Sequence, residues 1–317
     1  MPLSLVTGGA GFIGSHLTER LLSDGHDVRV LDNFSTGRRE NLEFNPDSPR
    51  WGRMEVIPGE ITDREIVSRA MAGVDYVFHQ AAIPSVPRSV ADPFSSNQAN
   101  VTGTMTLLVA ARDAKVKRFV YASSSSVYGE SPALPKVETM PTAPLSPYAI
   151  SKLAAEQYAQ AFWRLYGLPT VGLRYFNVFG PRQDPGSEYA AVVPRFITAI
   201  AKGTAPTVYG DGEQTRDFTY ISNAVEANVR GSLCDERAFG GTYNVACARR
   251  VSLLDLVGLI NGIFGATITP QHAATRAGDV KHSLADIKLA ADRLGYNPAV
   301  SLEEGLARTA AWFRRKI

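Results

Sequence analysis

The sequence predicts an α/β protein built around a doubly wound parallel sheet, with a smaller α/β lobe interleaved in its C-terminal half. Three observations support this prediction. An apolar strand over Leu3–Thr7 runs directly into a glycine-rich turn and a helix. Strand-like and helix-like segments then alternate as far as Arg174, which is typical of repeated βα units. Residues capable of chemistry follow several strands at once, and ligands bind at the carboxyl ends of strands in such sheets.

The first strand, turn and helix predict a phosphate-binding site. The turn Gly8–Gly14 separates the strand from a helix that begins near Ser15 and ends before Gly25. Glycines at this place let backbone amides and the helix N-terminus approach a pyrophosphate closely.

The second strand, Val28–Leu31, ends at Asp32. A carboxylate at this place accepts hydrogen bonds from the adenosine ribose hydroxyls and repels a 2′-phosphate, so we expect NAD rather than NADP. Arg38 and Arg39 stand nearby and could favour a 2′-phosphate, but they fit a solvated loop better.

The later segments continue the alternation. Strands are predicted at 54–57, 75–79, 118–122 and 170–174, and helices at 63–71, 96–113 and around 148–152.

Beyond Arg174 the pattern is looser. Helices are predicted at 192–202, 251–264 and 302–315, whereas 218–232 and 242–245 fit a helix and a strand that rejoin the sheet. We therefore assign 1–175 together with 218–246 to a dinucleotide-binding domain. The second lobe consists of 176–217 and 247–317.

Composition excludes several classes of protein. The 317 residues are 44% hydrophobic and 20% charged, with a net charge of +2, which is ordinary for a globular protein and gives no reason to expect a nucleic acid partner. The two cysteines and five histidines have no metal-ligand spacing, so we expect no metal. We see no signal-peptide pattern and no apolar run long enough to span a membrane, and we expect a cytoplasmic protein with no membrane partner.

The stretch Ser146–Lys152 is where we expect catalysis. Tyr148 and Lys152 stand four residues apart, so on a helix they share one face. A lysine ammonium near a phenol stabilises the phenolate and lowers its pKa, which makes tyrosine a usable base. The pair alone is also compatible with an aromatic and a cation on an amphipathic helix, so its meaning depends on the motifs around it.

Those motifs resemble the extended short-chain dehydrogenase/reductases, and more narrowly the NAD-dependent nucleotide-sugar 4-epimerases, over essentially the whole chain. Thr7–Ser15 is similar to the family's cofactor loop, and Ser123–Gly129 to its catalytic serine motif. Arg174–Arg182, Tyr209–Phe218 and Arg276–Val280 resemble its substrate-binding segments. The resemblance implies a Rossmann fold, tightly bound NAD, a UDP-sugar substrate and transient oxidation at the sugar C4.

The resemblance also implies site residues. The catalytic set is Ser124, Tyr148 and Lys152. The cofactor site would be formed by Gly8, Gly11, Phe12, Ile13, Asp32, Asn33, Ser35, Thr36, Gly37, Glu60, Ile61, Gln80, Ala81, Ala82, Asn100, Tyr148, Lys152 and Tyr175. The substrate site would be formed by Ser85, Ser124, Ser125, Ser126, Tyr148, Asn177, Ala191, Val192, Phe196, Thr207, Tyr209, Arg216, Arg276, Asp279 and Ser283.

Within the family, Gln80–Ser89 is most similar to the UDP-N-acetylglucosamine 4-epimerase branch. One position on the C-terminal lobe controls the room for the sugar's 2-substituent in this family, and it corresponds to Ser283 here. A small side chain at this position leaves volume for an acetamido group. Two residues depart from the family pattern, because Glu60 replaces an aspartate near the adenine and Phe196 stands where some relatives have tryptophan.

Other readings remain open. A 4,6-dehydratase would need an acid pair where the chain has Ser125 and Ser126. A UDP-glucuronate 4-epimerase or decarboxylase would use the same C4 oxidation, with other residues around 84–88. A non-catalytic dinucleotide sensor would usually lack the tyrosine or the lysine.

The resemblance further implies a homodimer, joined by a four-helix contact of residues 100–113 and 148–166. The apolar side chains that would support this contact are Leu107, Leu108, Phe162 and Leu165, which could equally pack on the protein's own sheet.

Overall fold

A parallel sheet of seven strands forms the centre of the computed structural model, which describes residues 1–45, 51–186, 191–275 and 281–316. The strands in these ranges are β1 (Leu3–Thr7), β2 (Asp27–Asp32), β3 (Met54–Pro58), β4 (Tyr76–His79), β5 (Arg118–Ser124), β6 (Thr170–Tyr175), β7 (Val178–Phe179), β8 (Thr207–Tyr209), β9 (Thr215–Asp217), β10 (Thr219–Tyr220), β11 (Gly241–Val245), β12 (Arg250–Ser252) and β13 (Gln271–Ala273).

Helices cover both faces of this sheet. They are α1 (Phe12–Ser23), α2 (Arg64–Met71), α3 (Val86–Ala91), α4 (Pro93–Asn97), α5 (Gly103–Asp113), α6 (Pro147–Tyr166), α7 (Val192–Ala201), α8 (Ile221–Leu233), α9 (Leu253–Phe264), α10 (Lys288–Leu294) and α11 (Leu302–Arg314). A π-helical turn over Gln98–Thr102 joins α4 to α5.

The strand order in the central sheet is β11-β6-β5-β4-β1-β2-β3, and every pair is parallel. From β1 the chain moves outward through β2 and β3, and then returns to the other side of β1 to add β4, β5 and β6. The direction of winding therefore reverses between β1 and β4, and a crevice opens at the carboxyl ends of these strands. The predicted doubly wound α/β fold is confirmed.

Side chains alternate across the strands and bury both faces of the sheet. Leu5 and Phe119 pack in one core cluster with the apolar side of α5. Val6 and Val120 point to the opposite face, in the cluster that contains residues of α1 and α8. Burial on both faces explains why these strands are apolar runs in the sequence.

The second half of the chain returns to the sheet through β11, which pairs with β6 from Gly241 opposite Val171 to Val245 opposite Tyr175. The remaining short strands form three two-stranded sheets, β10-β7, β12-β9 and β13-β8. Strands of two or three residues carry no periodicity, which is why the sequence did not reveal them.

The four apolar side chains named for a dimer contact are not equally exposed in the structure. Leu107, Leu108 and Phe162 are 0%, 0% and 6% exposed, because they pack against the protein's own sheet. Only Leu165 of that set is exposed, at 71%. For the other three, the structure therefore has the second of the two possibilities that the sequence left open. Within the described ranges, no helix is both long and apolar enough to cross a membrane.

Candidate active site

A cleft of about 1290 Å³ runs along the carboxyl ends of the central strands. A smaller, adjoining pocket of about 240 Å³ lies between β7, β8 and the start of α7. The two cavities share Asn177, Val178, Ala191 and Arg216 in their walls, so they lie side by side.

The glycine turn after β1 leaves its backbone open to this cleft. A Cβ atom on Gly8 would lie 2.7 Å from the backbone of Ala81, and one on Gly14 would lie 2.1 Å from the carbonyl oxygen of Gly8. Helix α1 begins after Gly11, whose backbone is extended, and no side chain among the described residues caps it. The first amides of α1 therefore remain available, which fits the pyrophosphate of a dinucleotide.

Asp32 ends β2 at the floor of the cleft and is 7% exposed. Its carboxylate accepts hydrogen bonds from the amides of Ala10 and Phe34 at 2.9 and 2.8 Å, which fixes its orientation. A carboxylate has further lone pairs, so Asp32 can still accept from ribose hydroxyls.

The far end of the cleft is lined by exposed polar side chains. The amide nitrogen of Asn33 donates to Glu60 at 2.9 Å, and Arg38 pairs with Asp184 at 2.8 Å. The guanidinium of Arg39 stacks over the ring of Phe34. Both arginines thus have partners in the chain, in keeping with a site for NAD rather than for a 2′-phosphate.

Gln80 and Tyr175 form a small polar cluster with Asn228 at the middle of the cleft. Gln80 donates to Asn228 at 2.9 Å and accepts from the hydroxyl of Tyr175 at 3.2 Å. Asn228 in turn donates to the hydroxyl of Tyr175 at 2.7 Å. The cluster joins the ends of β4 and β6 to α8, so it fixes this part of the cleft wall. Burial raises the pKa of Tyr175 to about 12, which makes it a neutral hydrogen-bonding group.

Tyr148 lies in the first turn of α6 and faces the cleft. Ser146 caps this helix by accepting from the amide of Ala149 at 3.2 Å, and Pro147 occupies the first helical position. The hydroxyl of Ser124, which ends β5, lies close enough to the phenol of Tyr148 to act on its pKa, and both residues line the cleft. Ser124 accepts from the amide and the hydroxyl of Ser126 at 3.2 and 2.9 Å. A phenol and a serine hydroxyl therefore meet at one point of the cleft.

Lys152 lies one turn further along α6 and below the cleft wall. Its ammonium donates to the carbonyl oxygen of Ala122 at 3.0 Å and lies 6.0 Å from the centre of the Tyr148 ring. Burial lowers the pKa of Lys152 to about 8, while the charge of Glu156 raises it. The ammonium group that was expected to stabilise the Tyr148 phenolate is thus buried beneath the tyrosine ring.

The pKa of Tyr148 differs in direction from the sequence-based expectation. Burial raises this pKa, and only the hydrogen bond from Ser124 acts against the rise. The ammonium of Lys152 donates to the carbonyl oxygen of Ala122, and desolvation of the buried phenol is the cause of the rise. In the chain alone, burial outweighs the effect of Ser124 on this pKa, and the expectation that Lys152 helps to lower it stays a prediction.

The smaller pocket is largely apolar. Val192, Phe196 and Leu253 line it together with Thr207, Tyr209 and Arg216. Arg216 donates to the carbonyl oxygens of Thr215 and Lys281, and its side chain borders both cavities. A small, largely apolar pocket beside a cation suits a nucleobase with its phosphates.

Most of the predicted residues do line the two cavities, but two do not and two cannot be located. Asn100 is 2% exposed and absent from the cleft wall, because its side chain bonds to Ile83 and Ser151. Lys152 lies behind the wall, as described. Arg276 and Asp279 lie outside the described residues. The predicted residues that line one or both cavities are Gly8, Gly11, Phe12, Ile13, Asp32, Asn33, Ser35, Thr36, Gly37, Glu60, Ile61, Gln80, Ala81, Ala82, Ser85, Ser124, Ser125, Ser126, Tyr148, Tyr175, Asn177, Ala191, Val192, Phe196, Thr207, Tyr209, Arg216 and Ser283.

Several lining residues escaped prediction. Lys136, Gln183 and His282 border the large cleft, and Arg195 borders the small pocket. His282 is the neighbour of Ser283, so proximity to a predicted residue was a usable signal. The others lie on loops or helices whose approach to the cleft depends on tertiary packing.

Comparison with known proteins agrees with the fold and site. The family model described as "NAD dependent epimerase/dehydratase family" matches residues 4–246. The UDP-glucose 4-epimerase of Mycolicibacterium smegmatis is 41% identical over 315 residues, covering 99% of both chains.

Solved structures agree as well. The UDP-N-acetylglucosamine 4-epimerase of Methanobrevibacter ruminantium, in complex with UDP-N-acetylmuramic acid, has a TM-score of 0.93 and 40% identity, covering 100% of this chain and 99% of that one. The UDP-glucuronic acid 4-epimerase of Bacillus cereus, in complex with UDP-glucuronic acid and NAD, has a TM-score of 0.89 and 33% identity, covering 99% and 100%.

A Rossmann sheet with an open glycine turn and a serine–tyrosine–lysine constellation defines an enzyme of the extended short-chain dehydrogenase/reductase class. The chain belongs to the NAD-dependent epimerase/dehydratase family, among the nucleotide-sugar epimerases, and NAD is its cofactor.

Proposed function

We propose that this epimerase interconverts the C4 epimers of a UDP-hexose, UDP-N-acetylglucosamine and UDP-N-acetylgalactosamine first, and UDP-glucose and UDP-galactose as well. The observation that carries the proposal is that Tyr148 and Ser124 lie together in the cleft wall, with Lys152 buried beneath. The relatives that act on UDP-sugars, at about 40% identity over nearly the whole chain, support it.

In the proposed mechanism, Tyr148 accepts the proton of the sugar 4-hydroxyl, and Ser124 hydrogen-bonds the same oxygen. NAD, when bound, supplies the acceptor for the C4 hydride and later its donor. Because burial raises the pKa of Tyr148, its ionisation requires positive charge nearby, which Lys152 contributes from below. The resulting 4-keto sugar turns over and is reduced from its other face, while Tyr148 returns the proton.

The UDP group would be the fixed part of the substrate. We place its uracil in the small pocket beside Phe196 and Tyr209, and its diphosphate near Asn177 and Arg216. The backbone of Asn177 has a positive φ of 34°, and its side chain donates to the carbonyl oxygen of Asp217, so its position is tied to β9. Holding only UDP leaves the sugar ring free to rotate.

Preference for an N-acetylated sugar would depend on Ser283. Its amide donates to the carbonyl oxygen of Thr215 at 3.0 Å, which fixes this small residue in the cleft wall. A hydroxymethyl side chain leaves room beside the sugar C2. We assign residues 1–175 and 218–246 to NAD binding, and 176–217 and 247–317 to the sugar-binding lobe that carries Ser283.

The test is separate incubation of the purified chain with UDP-glucose, UDP-N-acetylglucosamine and UDP-glucuronate, followed by chromatography of the 4-epimers. Turnover of UDP-N-acetylglucosamine supports the proposal. Turnover of UDP-glucuronate alone would overturn it.

A UDP-glucuronate 4-epimerase or decarboxylase is the second candidate, and one observation favours it. Arg88 on α3 lines the cleft next to Ser89, whose hydroxyl accepts from the amide of Tyr148 at 3.0 Å. A guanidinium near the catalytic tyrosine would suit a sugar carboxylate. In that case Arg88→Met would abolish uronate turnover and spare the neutral hexoses.

We also propose a homodimer. Exposed apolar residues on α4 and α6 support it, with Phe94 at 87%, Ile150 at 55% and Leu165 at 71% exposure. Sedimentation equilibrium of the wild-type chain and of Leu165→Glu tests this, since a monomer for both would contradict it.

A further inference from the structure

A chain of buried hydrogen bonds links the glycine turn to the catalytic helix. Thr7 and His79 are joined at 2.8 Å, and His79 and Thr104 also at 2.8 Å. The hydroxyl of Thr104 donates to the carbonyl oxygen of Asn100 at 2.6 Å. The amide of Asn100 donates to Ser151 at 3.0 Å. The five side chains are between 0% and 4% exposed.

The last hydrogen bond of this series reaches the backbone of the catalytic tyrosine, Tyr148. The hydroxyl of Ser151 donates to the backbone carbonyl of Tyr148 at 2.7 Å. At the other end, Thr7 is the last residue of β1 and directly precedes Gly8 of the open turn. The chain of bonds therefore connects the two places that must hold cofactor and base in register.

The direction of each bond near His79 is fixed by chemistry. The backbone carbonyl of Asn100 can only accept, so the Thr104 hydroxyl must donate to it and accept from Nε2 of His79. Nε2 therefore carries the proton, and Nδ1 accepts from the hydroxyl of Thr7. Burial and the charge of Lys152 lower the pKa of His79 to about 3, in agreement with a neutral ring.

The orientation of Asn100 is fixed in the same way. Its amide nitrogen faces Ser151, because the Ser151 hydroxyl is already donated to Tyr148. Its amide oxygen accepts from the backbone of Ile83, a residue of the cleft wall, at 2.8 Å. Asn100 lies in the π-helical turn, where the amide of Gly103 donates to Gln98 five residues back. Single π turns are frequent at functional sites.

We propose that His79 and Thr104 are positioning residues for the epimerase reaction, which set the distance between the glycine turn and Tyr148. Neither touches the cleft, so they act through Thr7 at one end and through Asn100 and Ser151 at the other. A misplacement of about 1 Å in a catalytic group costs on the order of a hundredfold in rate. This inference rests on the proposed function.

A pair of substitutions at Thr104 tests it. Thr104→Val keeps the shape and removes the hydroxyl, whereas Thr104→Ser keeps the hydroxyl. We expect Thr104→Val to lower kcat roughly tenfold or more with little change in KM, and Thr104→Ser to restore most of it. Amide hydrogen exchange at residues 148–152 should be faster in Thr104→Val, because the tie to the helix is broken.

The chain offers a matched control in Thr309 on α11. Its hydroxyl donates to the carbonyl oxygen of Gly305, four residues back, at 2.6 Å, and it is 0% exposed. Thr309→Val therefore removes a hydrogen bond of the same kind far from the cleft. It should cost similar stability and leave kcat and the exchange at 148–152 unchanged.

Each outcome decides the proposal. Equal kcat in Thr104→Val and Thr309→Val would show that the chain of bonds only stabilises the fold, and would overturn it. If Thr104→Val does not fold, Ser151→Ala tests the other end by the same measurements. If the wild-type chain turns over no UDP-hexose, the proposed function fails. The hydrogen-exchange comparison then still supports or refutes the positioning role.

Discussion

Arg174 and Glu156 form a buried, bidentate ion pair in which Nε and Nη2 of Arg174 donate to the two carboxylate oxygens at 2.9 and 2.7 Å. The side chains are 6% and 0% exposed. Glu156 also accepts from the hydroxyl of Ser123 at 2.5 Å, one helical turn beyond Lys152. The pair thus ties β5, β6 and α6 together directly beneath the residues that we propose to be catalytic.

Replacing Glu156 by Gln should lower the free energy of unfolding by about 3–5 kcal/mol, because Arg174 would be left as an uncompensated buried charge. Combining Glu156→Leu with Arg174→Met should recover most of this loss. Denaturant titration measures both. Glu304→Gln breaks an exposed pair with Arg308 and should cost less than about 1 kcal/mol. If Glu156→Gln loses no more unfolding free energy than Glu304→Gln, the buried pair is not important for stability.

Tyr148→Phe should reduce kcat by roughly 10²- to 10⁴-fold, since the proton acceptor is removed while the ring remains. Binding of UDP, measured by calorimetry, should be nearly unchanged. Tyr158→Phe on the same helix, where the tyrosine is 39% exposed, is the control and should retain activity. Retained epimerase activity in Tyr148→Phe would exclude this residue as the base.

The pKa of Lys152 has a consequence for stability. Burial lowers it from its ordinary value of 10.5 to about 8, so the unfolded chain binds more protons between these values. Lys152 therefore contributes stability above pH 10.5, and this contribution is lost as the pH falls through 8. The stability of the wild type relative to Lys152→Met should rise by about 2 kcal/mol from pH 7.5 to pH 10. Parallel unfolding curves for the two proteins would refute this.

Gly14→Ala should abolish retention of NAD, because its Cβ would lie 2.1 Å from the carbonyl oxygen of Gly8 and force the turn apart. The dinucleotide content of the purified protein measures this. In Gly258→Ala, on the exposed side of α9, the added methyl group meets nothing within 4 Å. This control should keep NAD and gain roughly 0.5–1 kcal/mol in stability. Full NAD content in Gly14→Ala would remove the glycine turn from the cofactor site.

Ser283→Tyr should reduce turnover of UDP-N-acetylglucosamine at least tenfold relative to UDP-glucose, because the ring would fill the space beside the sugar C2. Ser283→Ala should leave the ratio of the two kcat/KM values close to that of the wild type. If Ser283→Tyr slows both substrates equally, another residue sets the preference.

The sequence predicted those parts of the site whose chemistry depends on local spacing. The glycine turn, Asp32 and the Tyr148–Lys152 spacing each lie in one strand, turn or helix, so a short window contains the signal. The serine motif around Ser124 was found through its resemblance to the family.

Relationships between distant segments were not predictable. Gln80 was named from the sequence, but its partner Asn228 lies 148 residues away. The sequence indicated a polar partner only through the position of Asn228, a polar residue on the buried face of α8. Asn100 was expected at the cofactor, and nothing in the sequence indicated that its side chain joins Ile83 to Ser151, since burial and packing, rather than residue type, decide which group an amide meets.

The position of β11 also bears on how the protein can be made. β6 ends at Tyr175, yet its outer edge is covered only when Gly241–Val245 pairs with it. A ribosome-bound chain must therefore be extended by some seventy residues before the sheet is complete, and until then an apolar strand edge is exposed. A fragment cut at residue 175 would keep that edge permanently, so residues 1–175, the half that we propose to bind NAD, are not expected to fold stably as a separate piece.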